Sequence, residues 1–280
     1  MQKYDQVAAA LERLGWCIER AEPIATTDYL RVHDVNYLER VAACSLDAKA
    51  ERRLGFPQSP ALVARAQASV AGTVAAAERA LEVGLGVHLA GGTHHAFADR
   101  GEGFCLYNDL VIAARRLQAT RKGLRVLIVD ADVHQGNGSA ALCAEEERIV
   151  TYSIHGERNY PLVKVPSDVD VALPDGCGDD DYLQALDESL RPLMAQLAPD
   201  LVLYQGGVDV LAGDRFGRLA LSVAGVVQRE RLVSDLCLSV GASLATTLGG
   251  GYHRDLGQTV AAHVSGLSIV AERFGVGSVT

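Results

Sequence analysis

Several things are missing from this chain, and each absence closes off a class. There is no lysine- or arginine-rich tract, and the formal net charge of the 280 residues is −9, so a nucleic-acid partner held by electrostatics is excluded. No apolar run approaches the ~18 residues that would span a membrane. None of the six cysteines (Cys17, Cys44, Cys105, Cys143, Cys177 and Cys237) forms a C-x-x-C pair. With no signal peptide, these are expected as reduced thiols in a cytoplasmic protein. No linker, repeat or low-complexity stretch divides the chain, so a single domain is expected over residues 1–280.

What is present is a hydrophobic fraction of 49%, enough for a sizeable core, and clusters of glycine that mark tight turns. Alanines and leucines at helical spacing predict a helix from Tyr4 to about Leu14. Ser59-Pro60 is a helix start, with Ser59 as cap, and opens a long helix over Ala61 to about Val83. Beyond it, short apolar runs alternate with helical segments. The runs are GLGVHLAGG (84–92), VLIVDADVH (126–134), RIVTYSI (148–154), DLVLYQGG (200–207) and SLATTLGGG (243–251); the helical segments include 107–119, 180–197 and 222–241. Apolar strands alternating with helices predict a parallel α/β sheet buried on both faces.

In such a sheet, ligands bind beyond the carboxyl ends of the strands. Four of the runs end there in polar groups: His94 and His95, then Asp130, Asp132 and His134, then Asp209, then Gly249-Gly250-Gly251-Tyr252. If the second strand continues, Asp130, Asp132 and His134 share a face. Carboxylates at the end of a buried apolar strand need compensation, and a divalent cation supplies it. Aspartate and histidine suit zinc, with Asp209 as third ligand and a fourth position open for catalysis. Taken singly, each residue has a plainer role. Asp209 could cap a helix, the D-x-D-x-H set could be a salt-bridged strand end, the histidine pair could lie on the surface, and Tyr252 could be packed. Only their joint occurrence argues for a site. His88, His155, His253 and His263 lack such company and are read as structural.

The segments GGTHHAFADRGEGFCLYND (91–109), VDADVHQGNG (129–138), YQGGVDVLAGDRFGRLALS (204–222) and GGGYH (249–253) resemble the histone deacetylase family, in order and over nearly the whole chain. The likeness is closest to the class IV branch and its small bacterial relatives. It implies a three-layer α/β/α fold with a mostly parallel sheet of about eight strands. It implies one zinc ion held by Asp132, His134 and Asp209, and matches His94 and His95 to an acid–base pair. Asp130 matches the partner of His94, Asn137 the partner of His95, and Tyr252 a carbonyl-polarising tyrosine. A structural potassium site is implied at Asp130, Ser153 and the backbone of Asp132, His134 and Ile154. Gly103, Phe104, Tyr160 and Gly250 match a substrate channel.

The implied reaction removes an acetyl or longer acyl group from an acylated lysine, an acyl-polyamine or another small acyl-amide. A binuclear-manganese ureohydrolase of the same fold and a non-catalytic acyl-lysine-binding protein stay open as alternatives. Family members also carry an N-terminal segment with a first strand ahead of the part that MQKYDQ resembles. Here that strand is missing, so an unprotected sheet edge is expected.

Overall fold

A computed structural model describes residues 2–276. In chain order it runs α1 (Gln2–Arg13), α2 (Thr26–Tyr29), α3 (Val35–Ala42), α4 (Ala48–Leu54), α5 (Pro60–Val83), β1 (Leu85–His88), α6 (Asp109–Thr120), β2 (Val126–Asp130), α7 (Asn137–Cys143), β3 (Ile149–Gly156), β4 (Val169–Leu173), α8 (Asp179–Leu197), β5 (Leu201–Gln205), α9 (Val223–Val240), β6 (Ser243–Thr247) and α10 (Leu256–Arg273). The strands form one sheet in the order β1-β6-β5-β2-β3-β4, with every pairing parallel. Among the described residues the sheet has six strands, not the eight expected from the resemblance. Five come from the five apolar runs. The sixth, β4, is an edge strand with alternating exposure and an aspartate at its second position, a pattern that does not stand out as a buried run.

Alternation along the strands builds both cores. Val126 and Ile128 of β2 and Leu201 and Leu203 of β5 pack with α5 and α6 on one face. Leu127 and Val129, with Val202 and Tyr204, pack with α8, α9 and α10 on the other. Burial of a side chain of this size stabilises the fold by roughly 1.5–3 kcal/mol, which is why these strands need apolar residues at every position. Helix α5 starts where the sequence indicates. The Ser59 hydroxyl accepts from Leu62 N at 3.1 Å, and Asn108 and Ser222 cap α6 and α9 in the same way. At the β1 end of the sheet, Val7 and Leu11 of α1 pack with Val87 and Leu89.

The expectation for the D-x-D-x-H set needs correction. Strand β2 stops at Asp130, and residues 131–134 turn out of the sheet. Asp130 and Asp132 therefore do not share a strand face: one serves the histidine pair and the other the cation cluster.

Candidate active site

The loop after β1 is shaped by a residue at the start of α6. Asp109 is fully buried, and its carboxylate accepts from Gly92 N (2.8 Å), Thr93 N (2.7 Å), the Thr93 hydroxyl (2.8 Å) and the Thr73 hydroxyl (2.6 Å). These four bonds fold the Gly-Gly-Thr segment so that His94 and His95 enter the interior. Both rings are buried, with centroids 3.9 Å apart. His94 Nδ1 lies 2.5 Å from Asp130 Oδ2, and His95 Nδ1 lies 2.6 Å from Asn137 Oδ1.

The two dyads are polarised differently. Burial works against a charged His94, but the charge and hydrogen bond of Asp130, helped by Asp132, outweigh it and raise its pKa. His95 is held well below the usual histidine value by burial first, then by the positive charges of His94 and His134, which the amide of Asn137 does not offset.

Across from the histidines, ligand atoms of Asp132, His134 and Asp209 lie within 4.8 Å of one another. His134 Nδ1 is 2.9 Å from Asp132 Oδ1 and 3.4 Å from Asp209 Oδ2. Asp132 is held by Gly250 N–H at 2.8 Å and Gln205 Nε2 at 3.2 Å, and Asp209 Oδ1 by Val133 N–H at 3.0 Å. Asp209 Oδ2 is buried and accepts no hydrogen bond. Burial and the neighbouring Asp132 push the Asp209 carboxyl up to about 6. His134 is raised to about 10, because its hydrogen bond to Asp132 and the close negative charge of Asp209 outweigh its burial. Two buried carboxylates, one with an oxygen to spare, thus draw positive charge to a single point. A Cβ at Gly250 would stand 1.8 Å from Asp209 Oδ2, and one at Gly207 would stand 2.6 Å from Asp132 Oδ2, so the backbone leaves this space clear. The donor set and the uncompensated charge fit a divalent cation.

The model of the histone deacetylase domain matches residues 1–267. The chain belongs to the histone deacetylase family. An uncharacterised protein of Picosynechococcus is 45% identical over 232 residues, covering 83% of this chain and 77% of its own length. The histone deacetylase-like amidohydrolase of Pseudomonas aeruginosa is 27% identical, covering 93% of this chain and 71% of its own. The solved structure of acetylpolyamine aminohydrolase from Burkholderia pseudomallei superposes with a TM-score of 0.82 at 22% identity, covering 96% of this chain and 90% of that one. The fold and the deacetylase or amidohydrolase class follow from these likenesses.

In this family member the rim residues expected from the sequence are spread over three loops. Phe104 is 47% exposed with its ring 4.9 Å from Phe56; Tyr160 is 39% exposed and meets His95 edge-on at 5.0 Å. Gly103, with φ +54, lies against His95, where a Cβ would come within 2.5 Å of the ring. Tyr252 is 40% exposed beside Phe216, with its backbone N–H on Asp214. Despite that exposure, desolvation, then Tyr4, Asp209 and Asp132, raise its phenol above the ordinary value, so it stays a donor. Asp130 and Ser153 face each other in register across β2 and β3, with Ile154 buried beside them, while the Ser153 hydroxyl also meets His155 Nδ1 at 3.0 Å.

Sequence reasoning overlooked Asp109, Gln205, Glu102 and Lys3. Lys3, on α1, is buried and donates to Gly249 O at 2.8 Å, with its ammonium 5.0 Å from the Tyr252 ring centroid. Desolvation lowers it to about 8, against the pull of Asp209 and Asp132. The α1 helix therefore reaches the site, although none of the matched motifs lies on it. A buried lysine in an amphipathic helix was the available signal, since lysine is almost never fully buried without a partner. His33, His155 and His263 are buried outside the triad, His88 is half-buried with Nδ1 3.0 Å from the Thr73 hydroxyl, and His253 braces the backbone at Ala212 and Asp255.

Proposed function

We propose that this chain is a zinc-dependent amidohydrolase that removes an acetyl or longer acyl group from an acylated lysine, an acyl-polyamine or a related small acyl-amide. The observation that carries the reading is the buried meeting of Asp132, His134 and Asp209 beside two histidines with oppositely shifted pKa values. These three residues would hold the zinc. When bound, zinc supplies Lewis acidity at the reacting carbonyl and an acidic water.

The chain's own groups do the rest. His95, neutral because it is buried among positive charges, takes a proton at Nε2 while Asn137 holds its Nδ1. His94, whose affinity for a proton Asp130 raises, delivers a proton to the departing amine, which is too basic to leave as an anion. Tyr252 donates to the developing oxyanion, a contribution worth roughly 3–4 kcal/mol in comparable sites. Phe104, Tyr160, Gly103 and Gly250 line the approach, with aromatic walls for an alkyl chain and room beside the glycines. Asp130, Ser153 and the backbone of Asp132, His134 and Ile154 are the proposed seat of a structural potassium.

The segment after His134 reads Gln135-Gly136-Asn137, and among the described residues one three-ligand group is close enough to hold a metal, which favours one ion over a binuclear manganese site. The polyamine option draws support from the Burkholderia neighbour, which is named for acetylpolyamine hydrolysis. A single catalytic unit and a cytoplasmic setting belong to the same reading; all six cysteines are free, and no described helix is long and apolar enough to cross a membrane.

The test is an acyl-chain series on one lysine peptide, run beside acetylpolyamines, with bound metal measured. One equivalent of zinc and turnover of at least one substrate are expected. A zinc-loaded, folded protein that hydrolyses none of them would sink the reading, and two tightly held divalent ions would sink the mononuclear site.

A further inference from the structure

Asn137 can present either its oxygen or its amino group to His95, and the choice decides whether His95 can act as a base. With Oδ1 facing the ring, Nδ1 must carry the proton and Nε2 is free. With Nδ2 facing the ring, Nδ1 must accept, the proton sits on Nε2, and no base remains. Nothing within the dyad itself makes that choice, because an amide offers both.

The group that makes it stands behind Asn137. Glu102 Oε1 accepts from Asn137 Nδ2 at 3.1 Å and from the Tyr160 hydroxyl at 2.5 Å, and Arg100 Nε approaches Oε2 at 3.5 Å. A carboxylate only accepts, so the side of Asn137 that meets it must be the amino side; the flipped amide would set two oxygens against each other. Glu102 is itself held firmly. Its N–H donates to Cys105 O at 3.0 Å and its carbonyl accepts from Cys105 N at 2.8 Å, closing a turn over Gly103 and Phe104, both with positive φ. Gly103 N–H and Phe104 N–H are tied to the end of α4 at Arg53 O and Leu54 O. Only 14% of the Glu102 side chain is exposed.

We infer that Glu102 is a positioning residue: it fixes the Asn137 amide so that His95 is held as the Nδ1–H tautomer, and through the Tyr160 hydroxyl it ties the channel wall to that choice. This rests on the proposed role of His95 as base. An aspartate at position 137 would accept from either oxygen and need no such help, but beside Glu102 it would bring two carboxylates to hydrogen-bonding distance. Asn137 and Glu102 thus work as a pair.

The experiment has a readout independent of turnover. Long-range ¹H–¹⁵N NMR of the zinc-loaded protein should show His95 as the Nδ1–H tautomer in the wild type and as the Nε2–H form or a mixture in Glu102→Ala. In the same variant kcat should fall about tenfold or more with KM changed less than twofold, and Glu102→Gln, whose amide oxygen still accepts, should restore most of the loss. Should Glu102→Ala fail to fold, the cycle of Asn137→Asp with and without Glu102→Gln remains, and the second substitution should recover at least fivefold of the first one's loss. A wild-type His95 protonated at Nε2, a loss confined to KM, equal losses in Glu102→Ala and Glu102→Gln, or a cycle with no recovery would each overturn the inference. A wild type that hydrolyses no acyl-amide would count against the proposed function, while the tautomer measurement would still decide the role of Glu102.

Discussion

His94 and His95 are neighbours in the chain, equally buried, with their rings in contact, yet their affinities for a proton are shifted in opposite directions. The difference lies in the second residue of each dyad. The carboxylate of Asp130 stabilises an imidazolium, whereas the amide of Asn137 contributes one hydrogen bond and no charge, and the positive groups nearby then dominate. Burial alone would have left both rings neutral. The lesson is that charge placed behind a histidine, rather than exposure, decides which way its pKa moves in a dry site.

The largest effect should come from removing the cluster whose charges act on both rings. Asp209→Ala is expected to abolish hydrolysis and bound zinc while leaving the far-ultraviolet circular dichroism spectrum unchanged. Retained stoichiometric zinc would remove Asp209 from the ligand set.

Tyr252→Phe tests what neither histidine can supply. kcat should drop by about a hundredfold or more with KM little altered, the pattern of an interaction made mainly in the transition state. A change in KM alone would make Tyr252 a wall of the channel.

Exchanging the partners should move the two dyads in opposite directions. Asp130→Asn removes the charge that keeps His94 protonated, so its pKa falls. The alkaline limb of the kcat profile should shift to lower pH, with kcat reduced by about a hundredfold. Asn137→Asp, made with Glu102→Gln, adds a charge behind His95, so its pKa rises. The acidic limb of kcat/KM should then move up towards neutral pH, and a limb that stays in place would mean that His95 is not the base it reports. The rings can titrate as a coupled pair, so apparent values are compared.

A stability measurement separates these two histidines from those outside the site. His33, His88 and His155 are each lowered to about 4, chiefly by burial. Between about 4 and the unfolded value near 6.5, the unfolded chain binds more protons than the native one. Stability is therefore fully present above that window and declines as pH falls through it, by at most about 1.4 kcal/mol per pH unit for each group. Urea unfolding at pH 7 and pH 5 should show the loss. Asp130→Asn should leave the contribution of His33 and His88 unchanged, and a pH-independent midpoint in the wild type would contradict it.

The sequence by itself determined the alternation of strands and helices, the cap at Ser59, and the candidate site residues, because period, capping and glycine placement are local signals that survive in any context. Edge strand β4 and helix α10 were not legible: the first is broken by Asp170 and exposed at alternate positions, and the second carries a glycine, Gly257, in its first turn. Only the tertiary structure decided what the reactive residues face. The end of β2 at Asp130 sent that carboxylate to His94 and the next one to His134, a matter of where the backbone leaves the sheet. Lys3 meets Gly249 across 246 positions, and Glu102 meets Asn137 and Tyr160 across 35 and 58. Hydrogen bonds between such distant positions leave no periodic trace, because they are set by how layers stack and loops close.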